Sequence, residues 1–128
     1  LAVELFETRD GRILVNELAM RPHNSGHWTQ DGAVTSQFEQ HLRAVLDLPL
    51  GGTTVTAGNA VMLNILGGPL GESLESRFGA AMAAQPGVKI HTYGKEPRPG
   101  RKVGHVNAAG ADADAILAAA RAAKTFFA

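Results

Sequence analysis

Nine consecutive residues, Arg21 to Thr29, carry two imidazoles, a guanidinium, an amide, two hydroxyls and an indole. The run shows neither the alternation of a strand nor the spacing of a helix. It must therefore form a loop, and a loop with so many polar side chains is typical of a binding site. Because Asn16 and Glu17 precede it at the end of a strand-like run, the sequence predicts a substrate site beside a metal site.

Length and composition limit the class of protein. The chain has 128 residues, enough for one domain or one and a half, and its 45% hydrophobic content can form a core. A formal net charge of zero predicts no nucleic-acid partner and no membrane partner. The absence of cysteine excludes disulfide scaffolds and zinc–thiolate sites, and it fits a cytoplasmic protein. No apolar run approaches the roughly 20 residues that span a bilayer.

The N-terminal end of the chain is unusual. Residues 1–6 (LAVELF) read as the interior of a core strand, without an initiator methionine or a preceding turn. We therefore expect the chain to be part of a longer protein that continues on its N-terminal side.

The first half of the chain predicts a hairpin, a loop and a helix. Residues 2–8 and 12–18 are strand-like, and Asp10-Gly11 between them is a two-residue turn signal. Residues 19–34 form the polar loop. Ser36 and Glu39 make a capping box that begins a helix. The predicted buried stripe of that helix consists of Phe38, Leu42, Val45 and Leu46.

The second half predicts strands and helices around a separate core. Strands are expected at 60–66, 88–93 and 102–107, a weak helix at 71–85 and an alanine-rich helix at 112–124. A glycine- and threonine-rich stretch at 51–58 is the best candidate boundary. We accordingly expect two parts, 1–52 and 53–128, and an α+β fold.

Two carboxylates are predicted to face each other across the hairpin. With a two-residue turn, Glu4 lies opposite Glu17 and Phe6 opposite Val15, and directly paired Cβ atoms are about 4.5–5.5 Å apart. Two carboxylates that close require a proton or a cation between them. Together with the Asn16 amide they suit a hard cation such as Mg²⁺. The alternative is a solvated hairpin face on which the two side chains point apart.

A second polar segment is strongly basic. Residues 95–102 hold four cations against one carboxylate, in a chain that is otherwise balanced. Two prolines and a glycine restrict the shape of this loop, which lowers the cost of ordering it around a ligand. A phosphate clamp and an ordinary basic surface turn both explain the pattern.

Three segments together resemble one family. Residues 16–29, the stretch SQFEQHLRA at 36–44 and the stretch YGKEPRPGRKVGH at 93–105 are similar to signatures of the 5-(carboxyamino)imidazole ribonucleotide synthases, which are ATP-grasp enzymes of purine biosynthesis. The resemblance covers the whole chain but only the last third of such an enzyme. It implies the end of an ATP-grasp domain (hairpin, loop and helix) followed by a small C-terminal β-rich domain with helices.

The resemblance also implies an activity and a set of roles. Family members use ATP to carboxylate aminoimidazole ribonucleotide with bicarbonate, through carboxyphosphate. The expected cofactors are ATP and Mg²⁺, and the full-length enzyme is expected to be a cytoplasmic homodimer. The implied metal ligands are Glu4 and Glu17, and the nucleotide–metal site adds Asn16. The implied catalytic residues are Arg21, His23 and Asn24, which resemble the wall of the bicarbonate and imidazole pocket, so that Arg21 and His23 also bind substrate. The substrate phosphate is assigned to Lys95, Arg101 and Lys102.

Other interpretations stay open at this point. The chain could belong to another ATP-grasp ligase, such as a formate-dependent transformylase or a carboxylase, although the Arg21–Thr29 run argues against it. It could also be a binding or oligomerisation module without chemistry. His27 and Trp28 are expected to be structural, and His91 and His105 to be paired or core histidines rather than catalytic ones.

Overall fold

The computed structural model describes every residue from Leu1 to Ala128, and its strands form two separate sheets. A hairpin makes a two-stranded sheet, and three later strands make a sheet in the order β3-β5-β4. The helices include none that is long and apolar enough to cross a bilayer. The fold is therefore mixed helix and sheet, as the sequence predicts.

The hairpin consists of β1 (Ala2–Glu7) and β2 (Ile13–Ala19), paired antiparallel. Glu4 lies opposite Glu17, which confirms that part of the predicted register. The predicted two-residue turn is wrong. Glu7 pairs with Ile13, and this register requires a turn that is one residue longer than the predicted one. The prediction that Phe6 faces Val15 is also wrong, since Phe6 faces Leu14. A bulge beside Glu4 restores the register and leaves Asn16 as the extra residue.

The polar loop contains more structure than the sequence predicts. A 3-10 turn covers Asn24–Gly26, and a single helical turn, α1, covers Thr29–Gly32. Helix α2 (Gln37–Val45) begins as predicted, because the Ser36 hydroxyl accepts a hydrogen bond from the Glu39 N–H. The predicted buried stripe is wrong in this chain. Its last three members, Leu42, Val45 and Leu46, are 58–64% exposed because no element packs on that face.

The second sheet has its own core. It is built from β3 (Asn59–Leu66), β4 (Lys89–Thr92) and β5 (Lys102–Gly110), with β5 in the centre and both pairings antiparallel. Two helices cover it: α3 (Phe78–Ala84), after a 3-10 turn at Leu74–Arg77, and α4 (Ala113–Thr125), capped by Asp112. The helix predicted at 71–85 is thus shorter than expected. Ile65, Val106 and Phe127 are fully buried at the centre of this core.

The two faces of this sheet differ in chemistry. Strand side chains alternate, so Val106 on β5 points to the helices while its neighbours His105 and Asn107 point to the opposite face. His105 and Asn107 are each only 1% exposed. The polar loop covers that face, since the Asn107 amide donates to the His27 carbonyl at 3.1 Å. A sheet that buries polar side chains beneath a polar loop is positioned to support a site.

Candidate functional site

The hairpin acids, the polar loop and the basic loop meet around one cleft of about 900 Å³. Its walls are mostly polar. They include the following residues from the three segments and from the polar face of the second sheet: Glu4, Glu17, Arg21, His23, Asn24, His27, His91, Tyr93, Lys95, Lys102 and His105. The chain therefore brings together at one place almost all the side chains that the sequence assigns to chemistry, although they lie up to about a hundred positions apart.

The imidazole of His23 lies beside the acidic pair of Glu4 and Glu17. The His23 Nε2 atom lies 3.0 Å from Glu17 Oε1 and 3.4 Å from Glu4 Oε2. Glu4, Glu17 and His23 offer ligand atoms within 4.8 Å of one another. Asn16 donates from its amide nitrogen to Glu4, which leaves the amide oxygen available. Two carboxylates and an amide oxygen are hard ligands, so this donor set fits a magnesium ion.

His23 is held in place by the rest of the loop. Its side chain is buried, its Nδ1 contacts the Ser25 hydroxyl at 2.8 Å, and its backbone N–H donates to Gln37 Oε1 at 3.0 Å. The Gln37 amide nitrogen in turn donates to the His23 carbonyl and to His27 Nδ1, both at 2.7 Å. Gln37 thus fixes two histidines. Sequence reasoning missed this role, because a glutamine in the first turn of a helix gives no signal of such contacts.

Arg21 and Asn24 stand on either side of His23. The Arg21 guanidinium is exposed and lies 3.6 Å from Glu17, so it reaches the cleft beside the acidic pair. Asn24 accepts a hydrogen bond from Lys102 Nζ at 2.7 Å. That contact joins the polar loop to the strand that follows the basic loop.

Two of the three predicted phosphate ligands lie at the cleft: Lys95 of the basic loop and Lys102 at the start of β5. Lys95 lies over the Tyr93 ring, with its Nζ 5.7 Å from the ring centroid, and Lys102 lies at the Asn24 contact. Arg101 does not line the cleft. It is exposed, and its guanidinium points to the Glu96 carbonyl at 3.4 Å.

A cluster of aromatic side chains forms the floor of the cleft. Tyr93 contacts His105 Nδ1 through its hydroxyl at 2.7 Å, and the His91 ring stacks on His105 with the centroids 4.7 Å apart. The His27 ring lies 5.2 Å from His105 and 5.1 Å from Phe38. His105 is buried in this cluster, whereas His27 lies within it and lines the cleft, and their structural roles stay predictions.

Burial favours the uncharged form of three of these rings, those of His105, His27 and Tyr93. It lowers the pKa of His105 to about 4, and the neighbouring His91 and His27 act in the same direction. Burial and then the Lys102 charge lower the pKa of His27, and burial raises the pKa of Tyr93. At neutral pH His105, His27 and Tyr93 therefore offer neutral hydrogen-bonding groups between a positive and a negative wall.

Comparison with known proteins identifies both parts of the chain. A family model described as the ATP-grasp domain matches residues 1–38, and one described as the phosphoribosylaminoimidazole carboxylase C-terminal domain matches residues 60–119. The N5-carboxyaminoimidazole ribonucleotide synthase of Mycobacterium tuberculosis is 61% identical over 114 residues, which is 88% of this chain and 27% of that protein. The enzyme of the same name from Corynebacterium ammoniagenes is 52% identical over 134 residues, covering 98% of this chain and 32% of its own length.

Solved structures agree in fold. N5-carboxyaminoimidazole ribonucleotide synthetase from Thermotoga maritima matches 97% of this chain with a TM-score of 0.75 and 45% identity, over 35% of its own length. An Aspergillus clavatus synthase in complex with ADP and 5-aminoimidazole ribonucleotide matches 94% with a TM-score of 0.78 and 35% identity, over 33% of its length. The chain spans about a third or less of the proteins that it matches. With both family models in sequence order, it belongs to the N5-carboxyaminoimidazole ribonucleotide synthase family, of which it represents the C-terminal portion.

Proposed function

We propose that this chain forms the C-terminal part of an ATP-dependent carboxylating ligase. The complete enzyme would convert aminoimidazole ribonucleotide and bicarbonate to N5-carboxyaminoimidazole ribonucleotide, with carboxyphosphate as intermediate. The family membership supports the reaction, and the Aspergillus clavatus relative binds ADP and the ribonucleotide. The proposal depends most on one observation: the acidic pair and the lysines Lys95 and Lys102 line a single cleft.

The negative wall suits the nucleotide end of the reaction. Glu4, Glu17 and Asn16 would hold Mg²⁺, which offsets the charge of phosphate oxygens in phosphoryl transfer. His23 lies between the two carboxylates, so its place beside the metal site is supported by two contacts, to Glu17 and to Glu4. Its backbone is fixed by Gln37, which keeps the imidazole at the edge of the cleft.

The carboxyl group and the ribonucleotide would occupy the rest of the cleft. Arg21 can hold the carboxyl group of carboxyphosphate through a bidentate contact, next to His23 and Asn24. Lys95 and Lys102 would pair with the 5′-phosphate of the ribonucleotide. Arg101 stays a predicted phosphate ligand that would have to turn from its contact with Glu96 to reach this ligand.

The test uses the full-length enzyme, meaning this chain together with the remaining two thirds of its relatives' length. Purified protein should release ADP only when both bicarbonate and aminoimidazole ribonucleotide are present, and ¹³C-bicarbonate should label the product. ADP release that needs formate instead of bicarbonate would assign the chain to a transformylase. The 128-residue chain alone should be inactive, because nucleotide sites lie in clefts between elements that it does not contain.

Two organisational predictions accompany this function. We expect the full-length enzyme to be a cytoplasmic homodimer, which sedimentation analysis and cell fractionation would check.

We also expect the boundary between the ATP-grasp part and the C-terminal part to lie near residue 52, and limited proteolysis of the full-length enzyme would locate it. Residues 51–56 contact the polar loop through hydrogen bonds, for example from the Thr56 N–H to the Gly32 carbonyl at 2.9 Å.

A further inference from the structure

His91 has an unexpected environment for a strand histidine. It lies on β4 directly opposite His105, and its side chain is 25% exposed and lines the cleft. Its ring stacks nearly parallel on the His105 ring, with an interplanar angle of 19°. The ring plane is therefore fixed, and its Nε2 edge faces Asp31 of the polar loop.

Asp31 determines which nitrogen of that ring carries the proton. Asp31 Oδ2 lies 2.7 Å from His91 Nε2, and the same oxygen accepts a hydrogen bond from the Asn107 amide at 2.7 Å. An ionised carboxylate can only accept hydrogen bonds, so His91 Nε2 must donate. In the neutral ring Nδ1 is then an acceptor without a proton. A carboxylate that fixes a histidine tautomer in this way is a common arrangement around functional imidazoles.

The Nδ1 atom of His91 is free to bind a ligand. The only hydrogen bond of the His91 side chain is that of Nε2, and Nδ1 is not among the buried polar atoms. The lining of the cleft beside it includes Lys95 and Lys102, which are assigned above to the substrate phosphate. The lysines supply donors only, and a ribonucleotide also carries N–H and O–H donors that need an acceptor.

We propose that His91 is a substrate-binding residue whose Nδ1 accepts a hydrogen bond from the ribonucleotide, and that Asp31 is the positioning residue that holds this tautomer. The inference rests on the proposed function, because the ligand is taken to be aminoimidazole ribonucleotide. Its donors are the exocyclic amine and the ribose hydroxyls. Both would present the same chemistry to His91, a polar hydrogen directed at an imidazole nitrogen.

Two substitutions separate binding from structure. The amide atoms of asparagine are one bond beyond Cγ, as Nδ1 is, and those of glutamine are two bonds beyond it, close to Nε2. His91→Asn therefore keeps an acceptor at the cleft and loses the Asp31 contact, whereas His91→Gln keeps the Asp31 contact and loses the acceptor. In the full-length enzyme we expect His91→Gln to weaken ribonucleotide binding roughly tenfold, as one lost hydrogen bond does. His91→Asn should stay within about threefold of wild type but have a lower Tm.

Calorimetric titration with aminoimidazole ribonucleotide measures this directly and needs no turnover. The affinity for ATP should be unchanged in both variants. Asp31→Asn, which keeps an acceptor oxygen, should bind like wild type, and Asp31→Leu should lose affinity as His91→Gln does. The proposal is overturned if His91→Gln binds like wild type or if the two His91 variants lose affinity equally. A wild-type enzyme that binds the ribonucleotide without carboxylating it would contradict the proposed reaction and leave the His91 contact measurable.

A 2′-deoxy analogue then tests whether the 2′-hydroxyl is the donor. If the 2′-hydroxyl donates to His91, the analogue should bind more weakly than the ribonucleotide to wild type but equally well to His91→Gln. If the exocyclic amine or the 3′-hydroxyl donates, the loss on removing the 2′-hydroxyl should be the same in both proteins. Either pattern supports a contact at Nδ1, provided that His91→Gln has lost affinity for the natural ligand.

Discussion

Lys102 donates a hydrogen bond from Nζ to the side-chain oxygen of Asn24, 2.7 Å away and 78 positions earlier in the chain. The contact joins the loop assigned to the carboxyl group to the strand that follows the basic loop. Part of the Lys102 charge is thus already engaged within the protein. Lys95 has no such partner and makes only a long contact to the Tyr93 ring, so it is the cation most available to a phosphate.

Removing Lys95 should therefore affect ribonucleotide binding most. In the full-length enzyme we expect Lys95→Ala to raise the KM for aminoimidazole ribonucleotide, because binding loses charge-assisted bonding of about 1.5–3 kcal/mol. The KM for ATP should stay unchanged. Arg98→Ala is the matched control, because Arg98 is an exposed cation of the same loop outside the cleft, with Glu96 3.4 Å away. Equal effects of the two substitutions in steady-state kinetics would show that the loop acts only through its net charge.

The acidic pair makes a separate prediction. Glu17→Gln preserves shape but removes one of the two charges that face each other across the hairpin. We expect ATP hydrolysis to be lost and the circular dichroism spectrum to stay unchanged, since the side chain is half exposed and not part of a core. Glu7→Gln removes a charge from the same hairpin outside the cleft and should have normal activity. Near-normal turnover of Glu17→Gln would show that the metal assignment is wrong.

Stability should depend on pH through His105. Its folded-state pKa of about 4 lies below the ordinary 6.5, so between these values the unfolded chain binds a proton that the folded chain does not. The free energy of unfolding should then be highest above pH 6.5 and fall as the pH drops toward 4, by roughly 3 kcal/mol for this group. His27 has a lowered pKa and acts in the same direction. Urea denaturation between pH 7 and 4 measures the fall, which should be smaller in His105→Gln.

Gly26 is where the loop is most tightly packed. A Cβ atom at this position would lie 2.7 Å from Gln37 Cδ, and the Gln37 amide is held by both His23 and His27. Gly26→Ala should displace Gln37 and cost about 1–3 kcal/mol of stability, with reduced kcat because His23 moves. Gly87→Ala places a methyl group in open space at an ordinary φ and serves as the control. A Gly26→Ala enzyme with wild-type Tm and kcat would show that Gln37 does not fix the loop.

Local chemistry made part of this site predictable. The Ser36 cap follows from a side-chain oxygen three residues before an acidic one, and both features lie within one helical turn. The pairing of Glu4 with Glu17 was predicted correctly even though the turn was not, because the longer turn and the bulge shift the register in opposite directions. Sequence patterns do not show bulges of this kind, which is why the partner of Phe6 was wrong.

Contacts between distant segments could not be predicted. Asp31 and His91 are 60 positions apart, and nothing in either local pattern indicates that they meet.

The apolar stripe of α2 shows a second limit of prediction from sequence. Leu42, Val45 and Leu46 have helical spacing, which establishes an apolar face, yet this face is exposed in the structure. Periodicity determines that a face exists and leaves open what covers it.

Strand β5 places Val106 in the core and His105 and Asn107 at the cleft, so adjacent residues serve opposite sides of one sheet. Insertion or deletion of a single residue within this strand would exchange the two sides, placing imidazole and amide groups among the helices and a valine in the cleft. A change in length within residues 102–110 would therefore disrupt the core and the cleft together. The cleft and the core of this part of the protein must be inherited as one unit.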